Sequence, residues 1–164
     1  AAIMIYIWFR FEWQYSIAAI LALSHDVIST IGFFSLTSFE FNLATIAAIL
    51  TIAGYSINDT VVVFDRIREN FRRYKSWEQN DIINKSINET LSRTVMTSVT
   101  TALALIAIMV FGGAVLRDFA AAMLWGVLIG TYSSIFIAAG VLTFVTLNRG
   151  GDDNADVAKP EFEV

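Results

Sequence analysis

Four apolar runs, at about residues 15–36, 42–64, 94–111 and 119–147, dominate this chain and constrain its fold more than any other feature. A hydrocarbon core about 30 Å thick is crossed by about 20 apolar residues in a helix. Within lipid every backbone N–H and C=O must be paired inside the protein, and a helix does this alone. The runs therefore predict an all-α, polytopic membrane bundle. Composition agrees: 56% of residues are hydrophobic, 16% are charged, and the mean hydropathy is +0.62. Soluble domains run at about 45–50% apolar and about 25% charged. An ordinary soluble enzyme, a nucleic-acid reader and a disordered chain are all poor fits.

A shorter apolar run covers residues 1–9. It has no basic flank and no small-residue cleavage site, so it is a poor signal peptide. It reads as the second half of a helix that starts upstream, giving about four full spans plus the end of a fifth. Residues 10–13 and 37–40 form the next two turns. The transmembrane domain is expected over 1–147, with an acidic tail over 148–164 that holds the only proline and is expected to be disordered.

Residues 65–93 differ from the rest, with seven Lys/Arg and five acids. Ile67, Phe71 and Tyr74 recur at helical spacing, so the run before them should continue past the bilayer as an amphipathic helix. Ser76 is the expected N-cap of a second, short helix that turns Ile82, Ile83, Ile87 and Leu91 inward. Gly112-Gly113 ends the following run, and a turn through Arg117-Asp118 leads to the last one. If the spans alternate, Arg10, the 65–93 segment and Arg149 share one side. Basic residues favour the cytoplasm, so this side and the tail are expected there.

Polar residues inside the spans are the candidates for chemistry. Asp59 lies in the last third of its run beside Asn58, and a carboxylate there costs about 3 kcal/mol on insertion scales. It can exchange a proton, or it can be fixed in a structural ion pair. Arg93 enters the next run from the same end and is the available cation; it can reach Asp59 or simply snorkel to the interface. His25 and Asp26 are adjacent at mid-span. Neighbours on a helix diverge by about 100°, so they are not expected to act as a simple pair. One of them can join a polar seam or proton relay. Thr94, Thr97, Ser98 and Thr101 form a hydroxyl face on the fourth run. Gly126 and Gly130 form a small-xxx-small motif suited to close helix packing.

Cysteine is absent and histidine occurs once. Thiolate zinc sites, disulfides and His-rich metal centres are thereby excluded. No phosphate loop or Ser-His-Asp set occurs, so neither a cofactor nor an enzymatic reaction is expected.

Several ordered blocks resemble SecF of the SecD/SecF protein-export family. The main one is GYSINDTVVVFDRIREN at 54–70, and SINETLSRTVMTS follows at 86–98. FGGAVLR at 111–117, GTYSSIF at 130–136, RFEW at 10–13 and His25-Asp26 fall in family order. The resemblance implies an RND-superfamily subunit of the bacterial inner membrane, with six spans and a periplasmic domain between the first two. Its first span, that domain and the start of its second span would lie outside this chain. It further implies SecD, the SecYEG channel and YajC as partners, preprotein as substrate through the periplasmic domain, and the proton-motive force as the energy source. Asp59 and Arg93 match the residues that the family links to proton passage. Two other readings stand beside it: an RND exporter of lipids or drugs, and an assembly subunit in which Asp59 and Arg93 only lock helices.

Overall fold

The structure, a computed structural model, describes residues 13–37 and 43–145. The apolar run 1–9, most of the two expected turns at 10–13 and 37–40, and the tail 148–164 lie outside the described residues. The elements are α1 (Trp13–Thr37), α2 (Leu43–Arg73), α3 (Gln79–Phe111), α4 (Gly113–Tyr132), a π-helical segment (Ser133–Ala138) and α5 (Ala139–Phe144). Helix α4, the π segment and α5 follow one another without a break. Among the described residues, four helical stretches are long and apolar enough to cross a membrane. The all-α polytopic bundle predicted from the runs is the fold observed.

The polar segment 65–93 is a helical hairpin, as its spacing predicts, turning only between Arg73 and Gln79. Three local expectations need correction. The second helix of that hairpin is not short: it runs without interruption through the fourth apolar run, as a 33-residue helix. Its N-cap is Glu78 in extended conformation, not Ser76. Helix propensity persists across 79–93, because no Pro or Gly interrupts it and isoleucines recur on its inner face. At the other end, α4 already begins at Gly113, so Arg117-Asp118 lie on a helix and not in a turn. Gly113 has φ +76°, a left-handed backbone that side chains disfavour. A Cβ on Gly112 would lie 2.4 Å from the Ile108 carbonyl oxygen. The Gly-Gly pair thus lets α3 reverse into α4 in a single step.

The buried apolar residues fall into two clusters. One joins Tyr15, Ala18 and Ala22 of α1, Phe64, Ile67 and Phe71 of α2, Ile82 and Ile83 of α3, and Leu142 of α5. The other joins Phe34, Ala48, Ile52, Leu105, Met123 and Val127. Where the two clusters meet, each long helical stretch carries buried polar side chains: Asp26 and Thr30, then Ser56, Asp59 and Thr60, then Thr90, Thr94 and Ser98, then Ser133 and Ser134. Apolar packing at both levels thus brackets a polar seam and fixes its height in the bundle.

Candidate functional site: a buried polar seam at mid-bundle

The seam is set by the way α4 lies on α2. A Cβ on Gly126 would sit 2.3 Å from the Ile52 side chain, and one on Gly130 would sit 3.2 Å from Ser56 Cβ. One turn further on, Thr60 Oγ1 and Ser134 Oγ are 3.0 Å apart. Each of these pairs is 74 residues apart in sequence, so the two helices run parallel in a fixed alignment. Glycine at the two crossing positions brings the backbones close enough for the serine and threonine hydroxyls to meet.

Asp26 reaches this crossing from α1 and is fully buried. Its Oδ2 accepts a hydrogen bond from Ser133 Oγ at 2.7 Å. Ser56 Oγ donates to the same oxygen. Its Oδ1 lies 3.1 Å from His25 Nδ1. The expectation that these neighbours would not pair is therefore corrected: their Cβ vectors diverge, but the two side chains are long enough to turn toward each other. His25 itself is 39% exposed. One buried carboxylate thus ties α1 to α2 and to the π segment, through hydrogen bonds that offset the cost of its burial.

Asp59 is nearly as deeply buried but is bonded differently. It is 5% exposed, and its Oδ2 has no hydrogen-bond partner among the described residues. Ser56 precedes it by three residues and Thr60 follows it directly, and both are held in the seam. Asp59 is therefore positioned by its neighbours along the helix while one of its own oxygens stays open. The α2–α3 bonds Asn70–Ser86 and Tyr55–Thr101 place Asp59 level with residues 94–98 of α3. Thr94 there is buried, and its hydroxyl is also without a partner among the described residues. Arg93 is solvent- or lipid-exposed in this chain. It makes no ion pair with Asp59, although it lies only about one helical turn from the Asp59 level.

Other candidates lie elsewhere. Asn58 and Thr97 sit on exposed faces, outside the buried seam. On α3 the inward hydroxyls follow a four-residue spacing, Ser86, Thr90, Thr94 and Ser98, which leaves Thr97 facing outward. Ser98 Oγ meets Thr131 Oγ1 at 2.6 Å, joining α3 to α4. Sequence reasoning missed Ser56, Thr60, Ser133 and Ser134. Continuing the spacing of Gly126 and Gly130 by four residues would have reached Ser134, and Ser56 and Thr60 share that spacing.

The polar hairpin beyond the spans carries its own network. Arg66 Nε donates to Glu89 Oε2 at 2.6 Å, and Arg66 Nη1 donates to Glu69 Oε2 at 2.6 Å. The buried Asn70 amide donates to Ser86 Oγ at 2.9 Å and to Glu89 Oε2 at 2.8 Å. The Asn70 bond above all, with help from Arg66 and Lys85, lowers the pKa of Glu89 from 4.5 to about 2.

Comparison with known proteins places this arrangement in a family. Residues 1–148 match the family described as "Protein export membrane protein SecD/SecF, C-terminal". The chain is 56% identical over 147 residues to a protein translocase subunit SecF of Rhodobacter capsulatus, covering 90% of this chain and 44% of that protein. It is 51% identical over 162 residues to the SecF of Cereibacter sphaeroides, covering 99% and 50%. With the SecF of Rickettsia bellii it shares 58% identity over 143 residues, covering 87% and 47%. The chain therefore spans about half the length of the curated relatives it matches. A crystal structure of SecDF from Thermus thermophilus superposes with a TM-score of 0.83 at 51% identity, covering 87% of this chain and 20% of that one. A crystal structure of SecDF in a super-membrane-facing form gives 0.84 at 50% identity, with the same coverage. The chain belongs to the SecD/SecF protein-export membrane protein family, on its SecF side.

Proposed function

We propose that this chain is the SecF part of a protein translocase that couples the proton-motive force to preprotein movement across the bacterial inner membrane. SecD is its direct partner, SecYEG is the channel it serves, and YajC is an accessory partner. The observation that carries the reading is Asp59: a buried carboxylate in a span, with one oxygen that has no partner among the described residues and with Arg93 about one turn from its level on α3. A purely structural lock would join the two in an ion pair, and they make none. One charge crossing 100 mV releases about 2.3 kcal/mol. Protonation of Asp59 uses that energy if it changes which packing of α2 against α3 is preferred.

The same reading accounts for the outer surface. Asn58, Arg93 and Thr97 are exposed on α2 and α3. Lipid is a poor environment for such groups, whereas a partner helix pairs them. The basic residues of the 65–93 hairpin orient it toward the cytoplasm.

The test uses the full-length protein with SecD and SecYEG in proteoliposomes, at equal protein amounts. Preprotein translocation is measured with and without an imposed proton gradient. Asp59→Asn is expected to lose the gradient's stimulation while gradient-independent translocation continues. Equal stimulation of wild type and variant would overturn the assignment of Asp59.

A further inference from the structure

The π-helical segment Ser133–Ala138 interrupts an otherwise α-helical rod of more than thirty residues. Short π insertions concentrate at functional sites, because they accommodate one extra residue by widening a turn. Within its own helix, Ser133 and Ser134 Oγ donate to the Gly130 carbonyl, at 3.3 Å and 2.8 Å. These two residues are also held from outside. Ser133 Oγ donates to Asp26 Oδ2 at 2.7 Å, and Ser134 Oγ lies 3.0 Å from Thr60 Oγ1. Asp26 also accepts from Ser56, so the carboxylate ties the π segment to α2 before Asp59, and the separate Thr60–Ser134 contact ties it after Asp59.

We propose that Asp26 is a positioning residue that holds residues 133–138 in π register, and that releasing its hydroxyl bonds lets the segment relax to α-helix. A π turn has about one residue more than an α turn, so relaxation rotates everything beyond it by about 100°. The portion before it stays in place, because Gly126 and Gly130 are packed against Ile52 and Ser56. The rotating part is therefore α5. Each of its residues takes the place of the residue that follows it. Leu142, now fully buried, moves outward to the position of Thr143, and the half-buried Val141 moves inward to the position of Leu142. The rotation also breaks the bonds that the Gln79 side chain donates to the carbonyls of Leu142 and Val145, at 2.7 Å and 2.9 Å. The cytoplasmic hairpin and the end of α5 are thereby uncoupled. The link from this motion to proton use rests on the proposed role of Asp59; the register itself does not.

The register is read directly by thiol labelling, since this chain has no cysteine of its own. Val141→Cys and Leu142→Cys are introduced singly into the full-length protein with its SecD partner in proteoliposomes, with any other cysteines replaced. Maleimide labelling is compared in the Asp26, Asp26→Ala and Ser133→Ala backgrounds. Ser133→Ala removes one hydroxyl and keeps the fold testable if Asp26→Ala does not assemble. With Asp26 and Ser133 intact, position 141 should label several-fold faster than 142. Loss of either clamp group should reverse that order. Unchanged order in both backgrounds overturns the proposal, as does a uniform rise at both positions, which signals loosening without a change of register. If the order reverses while Asp59→Asn keeps its gradient response, the Asp26 clamp stands and the Asp59 reading falls.

Discussion

Two carboxylates at similar depth in this bundle show how burial alone fails to define a role. Asp26 has its oxygens filled by serine hydroxyls and a histidine, whereas Asp59 has an oxygen with no partner among the described residues. The first arrangement holds helices together, and the second leaves room for a change of state. Glycine at position 126 carries equal weight in the packing. A Cβ there would lie within 2.6 Å of three Ile52 atoms. Gly126→Ala should destabilise the protein by about 1–3 kcal/mol, the usual cost of overpacking. Thermal unfolding in detergent checks this, and adding Ile52→Ala should restore much of the loss. Glu89, in the polar hairpin outside the apolar spans, gives a pH prediction. Its pKa is lowered on folding from 4.5 to about 2. The ionised form is thus favoured by the fold, and its contribution is complete above about pH 4.5 and is lost as pH falls toward about 2. Amide exchange in 65–93 should accelerate across that window, and Asn70→Ala should move its onset to higher pH.

Among the elements, the hairpin of α2 and α3 and the end of α5 depend on one another. The Gln79 side-chain amide donates to two carbonyls at the C-terminus of α5, groups that have no partner within their own helix. Gln79→Ala should cost about 1–3 kcal/mol locally, at about 0.5–1.5 kcal/mol per bond. Hydrogen exchange should rise at residues 141–145 and stay unchanged in α1. The length of α3 carries a second lesson. An apolar run marks where a helix meets lipid, but nothing in lipid burial stops the helix at the interface. Residues 79–93 contain no helix breaker, so the helix of the span continues to the turn that ends at Glu78.

Taken as a whole, the molecule turns large apolar side chains such as Leu36, Leu50, Leu103 and Phe111 outward, as a bundle in lipid does. Against that background, exposed Asn58 and Thr97 stand out as a face suited to another protein. Replacing both with leucine should reduce co-purification of SecD, the proposed partner, several-fold, while the melting temperature of the isolated protein stays the same or rises. Unreduced co-purification would place the partner on another face.

What the chain could become was legible in its sequence, because hydrocarbon leaves few solutions to backbone hydrogen bonding. Run length and spacing were enough to predict an all-α polytopic bundle, an amphipathic extension of α2 and a Gly-Gly reversal. The in-span residues Asp26, Asp59 and Arg93 stood out because ionisable groups are rare in spans. The partners of those residues were not legible. Periodicity assigns faces relative to one helix axis, and it does not say which helix lies opposite or at what height. Ser56 and Ser133 look like ordinary helix residues until the close approach at Gly126 and Gly130 sets α4 on α2 and brings both hydroxyls to Asp26. The π turn at 133–138 was not read from the sequence either: its serines bond the Gly130 carbonyl of their own helix, but their partners Asp26 and Thr60 come from other helices. Solvent and chain chemistry determined the elements; only the tertiary alignment decided that Asp26 is bonded, that Asp59 keeps an open oxygen, and that Asn58 and Thr97 face outward.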